Sequence, residues 1–325
     1  MIPAPLDAAL HGFMASHILF TAHALGVFAA LDRAPATAAA LAGPVGADPQ
    51  ALDRLLTACA SLGLLKRDGD HFALPADLHP YLGAGPLSVD GWLTHLRDNT
   101  SRAFRGLTQR VREGAKAPAG SPFDAIFADP EATAGFAQSM WDIGYPAAVH
   151  LVGELDLSGH LVDVGGASGA FAIAAAEKAS KLTATVFDLE PMRAPALAQI
   201  AAHGLTDRVD FQTGDFFHDA WPAADIYVLG YILSDWSDDQ GTKLLRTAAD
   251  ALPKGGRLLI LERLLDEDRA GPWQTTRMDI AMLLETHGRH RSATEYADWL
   301  RSVGLTDIHV HRSPQGKHLI GGWKR

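Results

Sequence analysis

The chain of 325 residues has a single cysteine, Cys59, and this scarcity excludes two ways of stabilising a fold. One cysteine forms no intrachain disulfide and no cysteine-based metal site. Cys59 lies in the apolar run LLTACASLGLL, where we expect it to pack as a buried residue of a helix. The cysteine content is typical of a protein of the reducing cytoplasm.

Positive charge is also scarce and evenly scattered. The chain has 28 lysines and arginines against 38 aspartates and glutamates, a formal net charge of −10, and no dense basic cluster. Binding to nucleic acid needs a concentrated positive surface, so this composition disfavours a nucleic-acid partner. A small molecule is the expected partner.

The N-terminal region has no formal charge between Asp7 and Asp32, a stretch long enough to span a bilayer. It contains three histidines, however, and has neither a basic leader nor a small-residue cleavage signal. A helix that is apolar on nearly all sides is also what a buried dimer interface requires. We therefore predict a dimerisation helix and no membrane segment.

Two nucleotide-binding motifs are absent from the glycine-rich stretch LVDVGGASGAF, residues 161–171. A dinucleotide fingerprint needs Gly-x-Gly-x-x-Gly, and neither Gly165 nor Gly166 starts one, because Ala167 and Ser168 occupy the next required position. A Walker loop would end in Gly-Lys-Ser/Thr, which is also missing. The strand–glycine turn–helix pattern thus indicates a nucleotide-like ligand without a pyrophosphate or triphosphate.

The elements that are present divide the chain into three segments. Residues 1–95 read as short helices followed by a hairpin around Asp68-Gly69-Asp70, a winged-helix-like pattern. Residues 96–150 read as connecting helices, interrupted by a loop over residues 114–122, that contribute to the substrate pocket. A winged helix also raises the alternative of a DNA-binding regulator, but its candidate recognition helix, Ala51 to Leu65, offers only Arg54 as a basic side chain.

Residues 151–325 alternate between strand and helix patterns, which predicts an α/β domain with a doubly wound, mostly parallel, seven-stranded sheet. The predicted strands are HLVDVGG, LTATVFDL, RVDFQTGD, ADIYVLGYIL, GRLLILER, TDIHVHR and KHLIGGW. Ligands on such sheets bind at the carboxyl ends of the strands.

Acidic residues stand at the ends of the first three of these strands. Asp163 is placed to meet an ammonium group, Asp188 the hydroxyls of a ribose, and Asp215 the amino group of an adenine, with Phe216 beside the ring. A ligand with an adenosine and an amino acid but no phosphate satisfies this pattern. S-adenosylmethionine (SAM) is such a ligand.

The motifs LVDVGGASG, FDLEP, GDFF, LSDWSDD and ALPKGGRLLILE, taken in this order, resemble SAM-dependent methyltransferases of the caffeate and acetylserotonin O-methyltransferase type. The resemblance covers nearly the whole chain, including the segment FDAIFADPEATAGFAQSM and a late GRHRSATEY. It implies a class I methyltransferase that acts on a small, aromatic secondary metabolite, releases S-adenosylhomocysteine (SAH), and forms a homodimer through its winged-helix-like domain.

The resemblance also implies roles for individual residues. The expected cofactor contacts are Asp163, Gly165, Gly166, Asp188, Leu189, Asp215, Phe216, Gly230 and Trp236. Met140, Trp141 and Met282 fall on stretches that line the substrate pocket in this family. No set of residues shows the spacing of a metal site.

The sequence departs from the family at the catalytic base. Family members carry His-Asp-Trp where this chain has Ser234, Asp235 and Trp236, and a serine hydroxyl with nothing to activate it is not a base near pH 7. Of the two acids that orient the family histidine, Glu262 is kept and His290 replaces the other. One hypothesis is that His290 has become the base, with Glu262 or Asp235 as a charge partner that raises its basicity.

The alternative is that no base is needed. Amines, thiolates and carbon nucleophiles accept a methyl group without one, so N-, S- or C-methylation stays open beside O-methylation. Some relatives use the SAM site for hydroxylation or decarboxylation, and such repurposed chemistry stays open as well.

Overall fold

The structure is a computed structural model that describes residues 2–85, 87–114, 121–314 and 316–325. The chain divides into two compact units, residues 1–97 and 98–325. Most of the loop predicted over residues 114–122 lies outside the described residues.

The first unit contains six helices and three short strands among its described residues. They are α1 (Ala4–Ala24), α2 (Val27–Arg33), β1 (Ala36–Thr37), α3 (Ala38–Val45), α4 (Pro49–Ser61), β2 (Lys66–Asp68), β3 (His71–Ala73), α5 (His79–Leu82) and α6 (Asp90–His95). The predicted hairpin is confirmed, and β1 adds a third strand that pairs with β3 and that the sequence pattern did not indicate.

Helix α4 shows why this unit folds as the sequence suggests. Pro49 occupies its first turn, and Asp48 caps it by accepting the backbone N–H groups of Gln50 and Ala51. Its apolar face buries Leu56 and Cys59 completely. Burial raises the pKa of the Cys59 thiol to about 11, so the prediction of a packing residue is confirmed.

Helix α1 keeps several large apolar side chains exposed in the single chain: Leu6, Leu10, Phe13 and Met14. Within the described residues, no single helix combines the length and hydropathy of a membrane span. Helices α1 and α2 together, bent by 61°, satisfy that criterion by length and composition alone.

The second unit begins with helices that precede its sheet: α7 (Ser101–Ala103), α8 (Leu107–Glu113), α9 (Asp124–Phe127) and α10 (Pro130–Val152). Asp129 caps α10 by accepting the N–H of Glu131. This long helix packs along the helix that follows the first strand of the sheet.

The alternating part of the unit follows the predicted order closely. Its elements are β4 (His160–Val164), α11 (Ala170–Lys178), β5 (Thr183–Asp188), α12 (Arg193–Ala202), β6 (Val209–Thr213), β7 (Ile226–Gly230), α13 (Asp238–Ala251), β8 (Arg257–Glu262), β9 (Leu264–Leu265), α14 (Trp273–Glu285), β10 (Arg291–Ser292), α15 (Ala293–Ser302), β11 (Thr306–His311) and β12 (His318–Trp323).

Seven of these strands form one sheet in the order β11-β12-β8-β7-β4-β5-β6. The pairs from β8 to β6 are parallel, and β12 is antiparallel to both β8 and β11. The predicted mostly parallel seven-stranded sheet is therefore confirmed. Because β4 lies between β5 and β7, the strand order reverses at β4, and the crevice above its carboxyl end is where such sheets bind ligands.

Candidate active site

A cavity of about 360 Å³ opens at this crevice, between the carboxyl ends of the parallel strands and helices α9 and α10. Five aspartates line it: Asp124, Asp163, Asp188, Asp215 and Asp235. None of the described residues that line it is a lysine or an arginine. The electrostatics of the cavity therefore favour a ligand that carries positive charge.

The glycine turn after β4 forms the floor of the cavity. Gly165 has a φ of +68°, and its N–H donates to the carbonyl of Phe187 at 2.8 Å. A Cβ at Gly165 would lie 2.5 Å from the Cδ1 atom of Ile232. Only glycine combines this left-handed backbone with so close an approach, and the missing side chain leaves the floor open to a ligand.

Asp163 is the second-last residue of β4, and its carboxylate lies against Gly166 of the glycine turn. Its Oδ2 accepts the N–H of Ala172 at 3.1 Å, which ties it to the start of α11. Burial, and then the nearby Asp188, raise its pKa to about 7. A cationic ligand would favour the ionised form, so this carboxyl is suited to receive an ammonium group.

Asp188, the last residue of β5, is held by the backbone on both oxygens. The N–H of Leu189 donates to Oδ1 at 2.7 Å, and the N–H of Ala167 donates to Oδ2 at 2.8 Å. Burial nevertheless raises its pKa to about 6. The two backbone bonds lock the carboxylate in place, and its remaining acceptor capacity can bind a pair of hydroxyl groups.

Asp215 follows β6 and is also locally anchored. Its Oδ1 accepts the N–H of Phe217, and its Oδ2 lies 2.8 Å from Nδ1 of His218. Beside it, the ring of Phe217 packs edge-to-face on Trp236 with centroids 4.8 Å apart, and the ring of Phe216 lies 6.1 Å from that of Trp236. An acid next to three aromatic rings is suited to a flat heterocycle with an exocyclic amino group.

All nine residues expected to contact the cofactor line this one cavity. Several other lining residues were not predicted as site residues, namely Phe123, Phe127, Phe136, His218 and Tyr231. The spacing of Phe136, Met140, Gly144 and Ala148 at intervals of four residues is a signal that was available, because it defines one face of α10.

Of the three residues expected to contact the substrate, Met140 lines the cavity, whereas Trp141 and Met282 do not. Trp141 is the next residue along α10 and therefore points about 100° away from Met140. Its ring stacks on Tyr145 at 4.5 Å and lies 5.2 Å from His203. The structure thus places Trp141 in the packing between α10 and its neighbours.

Of the four residues expected to be catalytic, only Asp235 lines the cavity. Ser234, Glu262 and His290 are buried beneath it, each at most 3% exposed. The N–H of Ser234 donates to Oε1 of Glu262 at 3.0 Å, and the other oxygen, Oε2, lies 3.9 Å from Nδ1 of His290.

The buried group does not make His290 more basic, so that expectation is wrong. Burial, then Arg263 and Arg291, lower the pKa of His290 to about 3. Neither of its ring nitrogens has a hydrogen-bond partner among the described residues. Burial also raises the pKa of Glu262 to about 7. A carboxyl that is partly protonated near pH 7 does little to stabilise an imidazolium.

Asp235 differs from these groups because it lines the cavity. Burial, and then the charges of Glu262 and Glu285, raise its pKa well above the usual value of 3.8. A raised pKa makes the ionised carboxylate a stronger base than an ordinary one. In the part of the chain that the structure describes, no three His, Cys, Asp or Glu side chains form a group that would hold a metal ion.

Comparisons with known proteins agree with this geometry. A family model described as the O-methyltransferase domain matches residues 104–306, and one described as the O-methyltransferase dimerisation domain matches residues 8–76. The chain is 34% identical over 320 residues to 3-hydroxy-5-methyl-1-naphthoate 3-O-methyltransferase of Streptomyces sahachiroi, covering 96% of this chain and 93% of that protein. It is 34% identical over 323 residues to acetylserotonin O-methyltransferase of Bos taurus, covering 93% and 92%.

A solved structure shows the same similarity in three dimensions. The crystal structure of human N-acetylserotonin methyltransferase in complex with SAM superposes with a TM-score of 0.92 at 31% identity, covering 98% of this chain and 96% of that one.

Proposed function

The chain belongs to the SAM-dependent O-methyltransferases of the caffeate and acetylserotonin type, and we propose that it methylates a hydroxyl group of a small aromatic metabolite. SAM is the cofactor, and bound SAM supplies an electrophilic methyl group. The residues fit it: the floor at Gly165 is a cradle that a Cβ would fill, and Asp163, Asp188 and Asp215 face a ligand of net positive charge.

The aromatic wall of the cavity supports an aromatic acceptor. The ring of Phe123 lies 5.7 Å from that of Phe136, 5.9 Å from that of Phe127 and 6.2 Å from that of Trp236. With Met140, these side chains form an apolar surface suited to a flat ring. The substrates named for the two curated relatives, a hydroxynaphthoate and acetylserotonin, give the first acceptors to try.

The single observation that carries the catalytic part of the proposal is the position of Asp235. It is the one residue of the expected catalytic set that reaches the cavity, and its raised pKa makes its carboxylate a stronger base than an ordinary one. Asp235 orients the acceptor hydroxyl and takes its proton. Ser234 and Glu262 support the segment that carries Asp235 rather than act on the acceptor.

A second candidate is favoured by the serine at position 234. An acceptor whose oxygen is already ionised needs no base, and positioning alone then promotes methyl transfer. Such an enzyme would tolerate both the loss of the family histidine and the burial of His290.

The experiment that tests the proposal incubates the enzyme with deuteromethyl-labelled SAM and either N-acetylserotonin or 3-hydroxy-5-methyl-1-naphthoate, and follows labelled product by mass spectrometry. For Asp235→Asn we expect kcat to fall by roughly 100-fold or more, the usual contribution of a general base. Asp239→Asn, an exposed acid of α13, is the matched control. Full activity of Asp235→Asn across the pH range would instead support the candidate without a base.

The same family assignment leads us to propose a homodimer. The matched dimerisation domain includes most of α1, whose exposed apolar residues Leu10, Phe13 and Met14 would be covered by a second copy of the chain. Light scattering coupled to size-exclusion chromatography should give twice the mass of 34.6 kDa. A monomer at micromolar concentration would contradict this.

A further inference from the structure

Residues 287–291, which we call the clasp segment, lie directly against the backbone of the segment that carries Asp235. The N–H of His287 donates to the carbonyl of Asp235 at 3.1 Å. Next to it, a Cβ on Gly288 would lie 2.1 Å from the carbonyl oxygen of Ser234 and 2.7 Å from the nitrogen of Trp236. Gly288 is thus in contact with the main chain on both sides of Asp235, at a separation that no side chain permits.

Arg291, at the end of the clasp segment, holds the residue before Ser234. Its guanidinium is buried, and Nη1 donates to the carbonyls of Leu233 at 2.9 Å and Arg289 at 3.0 Å. The second terminal nitrogen of the guanidinium, Nη2, donates to the carboxylate of Asp238, at the start of α13. One planar cation therefore joins the two ends of the segment from Leu233 to Asp238.

The surroundings of Arg291 hold the guanidinium in one orientation. It lies over the ring of Trp299 at 4.3 Å from the centroid, a cation–π contact inside the protein. From the end of β8, Oε1 of Glu262 accepts the N–H of Ser234. The main chain at residues 233–236 is therefore fixed by Glu262 from the sheet and by His287, Gly288 and Arg291 from the clasp segment.

We propose that the clasp segment positions Asp235 and Trp236 for methyl transfer, with Gly288 and Arg291 as positioning residues. Neither residue lines the cavity, so both act through the segment they hold. This inference rests on the proposed role of Asp235. It also gives a reason for the GRHR stretch that does not require His290 to touch the acceptor.

The kinetic test compares two neighbouring arginines. Arg291→Met removes the bond to Leu233, whereas Arg289→Met removes a half-exposed ion pair to Glu295 and the weaker bond to Asp238. For Arg291→Met we expect kcat to fall at least thirtyfold and the Kd for SAM to rise by a smaller factor, because Trp236 is displaced while Asp163, Asp188 and the glycine turn are untouched. Arg289→Met should stay within twofold of the wild type, and Arg291→Lys should restore only part of the loss, since an ammonium lacks the planar fork.

A spectroscopic readout separates this inference from the proposed function. In the full-length dimer labelled with 5-fluorotryptophan, the ¹⁹F resonance of Trp236 is assigned by its absence in Trp236→Phe. We expect one sharp line in the wild type and in Arg289→Met, and a shifted or broadened line in Arg291→Met. Gly288→Ala, which pushes on the same segment without removing a charge, should show the same change and serves as the test if Arg291→Met does not fold.

The outcomes are distinct. The inference is overturned if the ¹⁹F line of Trp236 is unchanged in both Arg291→Met and Gly288→Ala. It is also overturned if Arg291→Met and Arg289→Met lose kcat equally. A displaced Trp236 line together with a fully active Asp235→Asn supports the clasp segment as a positioning element and overturns the proposed role of Asp235.

Discussion

The cavity has two halves that are built in different ways. The cofactor half consists of the glycine turn and of Asp163, Asp188 and Asp215, each within a few residues of a strand end and each held by neighbouring backbone N–H groups. The other half, around Ser234–Trp236, is held by residues far along the chain, including Glu262 and Arg291.

This difference indicates which parts of the active site tolerate a change of residue. The cofactor half needs a left-handed glycine and carboxylates with fixed orientations, and the chain supplies both locally. In the other half, Ser234 and His290 have replaced the expected histidine and acid, and both side chains are buried below the cavity. Of the four residues expected to be catalytic, Asp235 is the one that lines the cavity.

The largest effect that would test the rigidity of the cofactor half is expected from Gly165→Ala. The left-handed backbone costs an alanine about 1–2 kcal/mol, and its Cβ would also meet Ile232 at 2.5 Å, so we expect the Kd for SAM to rise roughly 100-fold. Isothermal titration measures it. Gly204→Ala has nearly the same φ, +66°, with no atom within 4 Å of a Cβ, and should leave the Kd unchanged. Equal effects of the two substitutions would show that the close approach at Gly165 is unimportant.

A smaller effect is expected from Asp188→Asn, which keeps the shape of the side chain and removes its charge. Hydrogen bonds to charged groups contribute about 1.5–3 kcal/mol, so the Kd for SAM should rise roughly 30-fold. The control is Asp210→Asn on the neighbouring strand, where the side chain is exposed. A Kd within threefold of the wild type for Asp188→Asn would contradict the assignment of this acid to the cofactor.

The pH dependence of SAM binding tests the role of Asp163 in the cofactor half. Because the pKa of Asp163 in the free protein is about 7, this carboxyl must lose a proton to meet the ammonium group, and lowering the pH opposes binding. Between pH 7.5 and pH 5.5 we expect the affinity for SAM to fall on the order of tenfold. Asp163→Asn should flatten this profile. An affinity for SAM that does not change with pH in the wild type would contradict the assignment of Asp163 to the binding site.

The same shift has a consequence for the stability of the free protein. The folded-state pKa of Asp163 lies above its ordinary value of 3.8, so its ionisation destabilises the fold as the pH rises through about 7. A SAM ammonium group bound at Asp163 would compensate for that charge. Thermal unfolding should therefore show a larger stabilisation by SAM at pH 7.5 than at pH 5.5.

The smallest effects distinguish two adjacent residues of α10. Met140→Ala removes part of the apolar wall and should raise the KM for the better of the two tested acceptors roughly fivefold, as expected for the loss of one apolar contact. Trp141→Phe should leave that KM unchanged and lower the free energy of unfolding by about 1 kcal/mol through its weaker stacking on Tyr145. A raised KM for Trp141→Phe would mean that the indole reaches the acceptor after all.

Much of the fold was predictable because its signals are local. Asp48 and Pro49 indicate the start of helix α4, and Asp68-Gly69-Asp70 indicates the hairpin. Strand β1 was not predicted, since its two residues become a strand only by pairing with β3. Met282 and Trp141 were grouped with Met140 by resemblance, and only the packing of helices α10 and α14 showed that they do not line the cavity.

The order of strands and helices, the glycine turn and the acids that follow three strands could be predicted from the sequence, because backbone conformation and strand ends depend on neighbouring residues. The sequence also showed that Ser234 stands where a histidine was expected. Which polar residues line the cavity depended on the tertiary structure. Burial raises the pKa of Asp235 and lowers that of His290, and burial depends on residues that are distant in the chain and meet only when the sheet and its helices pack.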